Sequence, residues 1–115
     1  MVELPGLYFV IANDTHARFV RPDPDNRPHT IRAVEHNVFS DERFARFLAV
    51  NLNGEFSADV FSHLILVAPS PVLREVIAAL DVPTRTSLID TIAADLVTVP
   101  DQDLQPHLRA WLCET

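Results

Sequence analysis

Leu64-Ile65-Leu66-Val67-Ala68 is an unbroken apolar run bounded by Pro69, the pattern of a strand buried on both faces. Directly after it, Leu73, Val76, Ile77 and Leu80 recur at i, i+3, i+4 and i+7, one stripe of a helix packed back onto a sheet. Ser70 is predicted as the N-cap of that helix, with Pro71 in its first turn, where a missing N–H costs nothing. His63 to Leu80 therefore reads as a buried strand feeding an amphipathic helix, the half-unit of an α/β fold.

Upstream, Leu7 to Ala12 is aromatic and β-branched, a second buried strand. Asn13-Asp14 is a turn pair, and Ala17 to Arg21 returns as a weakly alternating strand. Pro22 to Pro28 is a loop by composition and is expected to be the most mobile internal segment. Thr30 to His36 alternates as a half-exposed strand. Ser40 is predicted to cap a helix with Asp41 and Glu42 in its first turn. Phe44, Phe47, Leu48 and Leu52 are its expected apolar stripe, and Asn53-Gly54 its expected end.

After Leu80, Asp81-Val82-Pro83 breaks the helix. Residues 84–96 fit a helix about as well as a strand. A strand near Leu88 to Ala93 is preferred, because the preceding helix needs a strand to return to. Thr98 to Asp101 resembles a capping box, and Leu104, Leu108, Trp111 and Leu112 mark a closing helix. The order β-β-β-α-β-α-β-α combines an antiparallel meander with right-handed crossovers. It predicts an α/β fold with a mixed five-stranded sheet in the ribonuclease H-like order 3-2-1-4-5, strand two antiparallel to the rest. Phe9, Ile11, Leu64, Leu66, Leu73 and Ile77 are the expected core.

Composition narrows the function. At 115 residues and 48% hydrophobic, the chain suits one domain, 1–115, with a core of its own. A net charge of −7 tells against a nucleic-acid footprint and against unaided binding to anionic membranes. One cysteine, Cys113, excludes an internal disulfide and a cysteine-based zinc site. Two glycines exclude a glycine-rich phosphate loop. The start of the chain does not read as a secretory signal, and the apolar runs fall short of the ~20 residues of a membrane span. A cytoplasmic protein without a cofactor is expected.

The candidate chemistry is sparse. Asp14 with Asp41 or Glu42 could contribute to a two-metal nuclease site, but acids at a helix start serve more often as caps. His16, His29, His36, His63 and His107 lack a tight ligand spacing, so no metal site is expected. Ser70 lacks the glycines of a nucleophile elbow, and Cys113 has no nearby base. No catalytic residue is assigned. Open α/β sheets bind ligands at the carboxyl ends of their parallel strands, beside the switch in strand order. That places a ligand or partner edge at Asn13, Asp14, Ser70 and Arg74.

Four stretches carry a family resemblance. Tyr8 to Phe19, with Asn13-Asp14 and Ala17-Arg18, resembles the opening strand-turn-strand of the bacterial host attachment protein family. Glu42 to Leu48 resembles its first helix. His63 to Pro69, followed by Leu73-Arg74, is similar to its "L-hydrophobic-L-V-A-P-P-x-x-L" segment. Ala94 to Thr98, then Pro100 and Leu104, resembles its "K-D-L-T-x-x-P-x-x-x-L" stretch. Two departures stand out: Asn37 to Ser40 replaces a longer polar loop, and Ala94 replaces a lysine. The resemblance implies a non-enzymatic domain that acts by binding a protein. It also implies a fold like the middle domain of archaeal and eukaryotic-type peptide-chain release factors. The alternative is thus a translation-associated domain touching ribosome or tRNA, without hydrolysis chemistry because no Gly-Gly is present. A metal-dependent nuclease is a third, weaker reading.

Overall fold

The computed structural model describes residues 6–25, 27–35, 43–108 and 111. The meander comprises β1 (Leu7–Ala12), β2 (His16–Pro22) and β3 (Pro28–Glu35). Then follow α1 (Phe44–Ser57), β4 (His63–Val67), α2 (Ser70–Ala79), α3 (Val82–Ser87), β5 (Leu88–Ile92) and α4 (Asp101–Leu108). The sheet runs β3-β2-β1-β4-β5, the order expected from the meander and crossovers. β2 is antiparallel to β1 and β3, and β4 is parallel to β1 and β5.

Alternation along the strands splits the core into two layers. Tyr8, Val10, Ala12, Ala17, Phe19, Leu64 and Leu66 face α1 and α2, meeting Leu48, Leu52, Leu73 and Val76. Leu7, Phe9, Ile11, Val20, Ile65 and Val67 face the opposite way, against Leu96, Leu104 and Leu108. Both central strands, β1 and β4, are therefore apolar throughout their inner length. Of the six expected core residues, Phe9, Ile11, Leu64, Leu66 and Leu73 are buried, while Ile77 is partly buried. Phe9 and Ile11 lie on the face opposite Leu64, Leu66 and Leu73.

Several local expectations need correction. Phe47 is 38% exposed. The buried face of α1 is Phe44, Ala45, Leu48, Ala49 and Leu52, and at 100° per residue Phe47 falls well outside that arc. The helix also passes through Gly54 and ends at Ser57. Phe56, on that last turn, packs against the core, and the reversal falls at Asp59, whose φ is 61°. Aspartate tolerates that left-handed conformation better than most residues. Ser70 is the first residue of α2, not its cap. Pro69 holds the cap position, its carbonyl accepting from Leu73 N at 3.0 Å.

Pro83 ends nothing. It lies in the first turn of α3, a short helix that the sequence reading missed, capped by the Asp81 carboxylate accepting from Thr84 N at 3.0 Å. The strand preferred for Leu88 to Ala93 forms at Leu88–Ile92. The proline loop is a hairpin turn whose flanking prolines belong to the strands. Asp23 N donates to Arg27 O at 2.9 Å, and the Asp23 carboxylate accepts from the amides of Asp25 and Arg27. The Ser40 cap, Asp41, Glu42, His36, Leu112 and Cys113 lie outside the described residues.

Candidate functional site

The carboxyl edge of the parallel strands is built as topology requires. Ile11 pairs with Val67, so Asn13 and Pro69 follow side by side. Asn13 is committed to its own turn: its Oδ1 accepts from Thr15 N at 2.9 Å, Thr15 Oγ1 at 3.1 Å and His16 N at 2.8 Å. Asp14, Ser70 and Arg74 are exposed. Among the described residues no hydrogen bond or ion pair joins Arg74 to Asn13, Asp14 or Ser70. The edge therefore presents three exposed polar side chains around a hydrogen-bonded turn, without a preassembled polar cluster among the described residues.

The outer side of α2 continues from this edge. Ser70, Pro71, Arg74, Glu75 and Ala78 are all exposed at spacings that share one helix face. Beyond Arg74 that face borders a groove of about 490 Å³ between α1 and α2, lined by Arg43, Ala45, Arg46, Val50, Glu75, Ala78 and Ala79. Arg43 Nη2 meets Glu75 Oε1 at 3.1 Å across it. Val50 is 56% exposed, and Phe47 shares the outer side of α1 with it. Asn53 fixes the two helices relative to each other. Its Oδ1 accepts from Asp81 N at 3.0 Å, and its Nδ2 donates to Ala79 O at 3.5 Å. The sequence reading did not name this groove, and it assigned Phe47, on the neighbouring outer side of α1, to the core. The signal was present: Phe44, Leu48 and Leu52 with Ala45 and Ala49 already complete a helix face.

Two polar clusters serve architecture. Arg18, on β2, donates to the carbonyls of Leu96 (3.3 Å), Val97 (3.1 Å) and Val99, and to Thr30 Oγ1 and Asp101 Oδ1. Thr30 N donates to Asp101 Oδ2 at 3.0 Å. Burial pushes the Asp101 carboxyl up, but the Thr30 hydroxyl and amide and the Arg18 guanidinium outweigh it and hold it below the usual carboxylate range. On the other face, Tyr8 Oη donates to Glu55 Oε2 at 3.0 Å, and Arg32 Nη2 reaches Glu55 Oε1 at 3.1 Å. Arg32 lies 4.2 Å over the Phe19 ring and Arg21 lies 5.2 Å over the Tyr8 ring. Burial, reinforced by the Glu55 charge, drives the Tyr8 phenol well above its ordinary value, so it stays a neutral donor.

The histidines are dispersed. His16 contacts Thr15 Oγ1 at 2.8 Å and Glu35 at 3.5 Å, His63 contacts Ser62 Oγ at 3.2 Å, and His29 and His107 are exposed. Among the described residues no group of three or more His, Cys, Asp or Glu side chains could hold a metal ion. Among the same residues no helix is long and apolar enough to cross a membrane.

Comparison with solved structures finds one titled "Archaeal protein", at 16% identity and a TM-score of 0.55, covering 90% of this chain. The chain spans 32% of that structure's length, so the likeness is one of fold. No curated protein matches with significance. The release-factor likeness gains no support from these comparisons. A family model described as "Protein required for attachment to host cells" matches residues 35–108, from the end of β3 through α4. The match covers well over half of the chain, and the protein belongs to that host attachment family.

Proposed function

We propose that this domain contributes to host attachment by binding a protein, without catalysing a reaction. The family match over residues 35–108 is the observation that carries this reading. The geometry agrees with it. The side chains that the fold gathers, Arg18 with Asp101 and Tyr8 and Arg32 with Glu55, tie elements together. The free polar groups lie on an outer surface running from Asp14, Ser70 and Arg74 along α2 to the groove. Asn13 shapes the near end of that surface through its turn.

Affinity capture with the whole chain tests the reading. A specific protein retained by the wild type and lost with Arg74→Glu is the expected result. Salt-sensitive co-sedimentation with ribosomes would instead favour a translation-associated role. Cell fractionation addresses where the binding occurs: we place it in the cytoplasm, and recovery on the cell surface would contradict that placement.

A further inference from the structure

We propose that residues 93–108 form a strap, clasped by Arg18, that opens as a unit while the rest of the fold stays closed. The inference goes beyond the protein-binding reading and stands without it. Burial is the first observation. Along 93–108 only Leu96, Leu104 and Leu108 are buried, against five residues of α1 alone. The stability of a segment follows the apolar area it buries. The strap forms no ladder with the sheet: β5 ends at Ile92, and loop follows until α4 begins at Asp101. α4 adds little stiffness. An eight-residue helix is marginal by itself, and Pro106 inside it supplies no N–H for Gln102 O.

The clasp is the second observation. Arg18 Nη1 donates to the carbonyls of Leu96, Val97 and Val99, and Nη2 donates to Asp101 Oδ1. Thr30, beside it, donates its N–H to Asp101 Oδ2. One guanidinium, its side chain only 13% exposed, thus bonds four residues of the strap, and bonds to a charged donor are the strong kind. Bonds that converge on one group are made and lost together, which favours closed and open forms over gradual fraying. At the other end, where the chain leaves β5, Ala94 N donates to Ala68 O at 3.2 Å, which sets the hinge. Opening bares Leu7, Phe9, Ile11, Val20, Ile65 and Val67 together, an entire apolar face. The layer beneath α1 and α2 stays intact.

The test is thiol labelling of the whole chain with Ellman's reagent under native conditions, with Cys113→Ser removing the one natural thiol. Val20→Cys places a thiol beneath the strap and Val10→Cys places one beneath α1 and α2, both valines being fully buried. Circular dichroism in urea gives the global stability of each variant. Val20→Cys is expected to react at least about tenfold faster than its own global unfolding allows. Its rate should depend little on dilute urea, because opening the strap exposes less surface than unfolding the chain. Val10→Cys should react only through global unfolding, with the steep urea dependence of that process. Val67→Cys, on the same face as Val20, repeats the measurement should Val20→Cys not fold. Adding Arg18→Met should speed the Val20→Cys reaction about tenfold to a hundredfold at unchanged urea dependence. Labelling beneath the strap that proceeds only at the rate of global unfolding overturns the proposal. So does a Val10→Cys thiol that reacts as fast as the one at position 20. A Val20→Cys rate indifferent to Arg18→Met overturns the clasp.

Discussion

The two faces of the sheet are covered by different means. One carries α1 and α2, two helices whose apolar stripes meet a dense layer around Tyr8, Phe19, Leu64 and Leu66. The other carries residues 93–108, a loop and the short helix α4 bearing Leu96, Leu104 and Leu108. Hydrophobic area is the main hold on the first cover, since long amphipathic helices bury enough of it, with the Tyr8 and Arg32 bonds to Glu55 of α1 added at its edge. The second cover is mostly loop, and a loop brought against a core must find partners for its carbonyls. Arg18 supplies them, taking three carbonyls and the Asp101 carboxylate at once.

The sharpest break of this contrast comes from the first face. Leu66→Ala should cost about 2–5 kcal/mol, read as a loss in the midpoint of cooperative denaturant unfolding. A loss under about 1 kcal/mol would mean that β4 is not held by packing.

Arg18→Met should cost somewhat less, about 2–3 kcal/mol, through carbonyls and a carboxylate left without their donor. Its signature is local. Hydrogen exchange should rise across 96–108 while α1 and β4 keep their protection. Uniform loss of protection would show that the two covers are one cooperative unit.

Acid should distinguish the faces as well. The Asp101 carboxyl is depressed in the folded state, so its contribution is fully present above the ordinary aspartate range and is lost as pH falls through the lower, folded value. Asp101→Asn should flatten that part of the pH–stability curve, and an unchanged acid limb would remove Asp101 from the account.

The smallest expected effect is Tyr8→Phe, at about 1 kcal/mol for one hydrogen bond. It leaves the ring stacked on Phe61 at 5.0 Å. Its companion Glu55→Ala, which removes the acceptor, should cost at least as much in thermal unfolding, because it leaves both Tyr8 and Arg32 without that partner.

The same contrast explains what could be read from the sequence. Strand order followed from buried runs such as Leu64 to Ala68, because an apolar strand with a helix behind it has few topologies open to it. The first face was legible for the same reason. α3 was not, because a single turn and a half carries no periodicity and Pro83 reads as a breaker as readily as a first-turn residue. Ser70 and Gly54 were misassigned because cap residues are ordinary letters whose role depends on where the first and last helical bonds fall. The second face was hardest. Arg18 and the stretch from Leu96 to Asp101 resemble separate family segments, and nothing in either states that one receives the other. As for the candidate site, the edge at Asn13, Asp14, Ser70 and Arg74 came from topology. The groove was not read, because its lining is mostly alanines and charged side chains on two separate helices, and no spacing along either helix states that they face each other.

Arg18 also has a consequence for how the chain is made. The carbonyls it will bind lie 78 to 81 residues downstream. During synthesis β2 therefore leaves the ribosome long before most partners of its guanidinium exist, Thr30 alone among them following closely. A meander formed in that interval would expose Phe9, Ile11 and Val20 on the face awaiting α4, with a full positive charge beside them. A charge set in a bare apolar surface discourages strangers from adhering to it. The residue that finally fastens the last segment is, until then, the guard that keeps its place open.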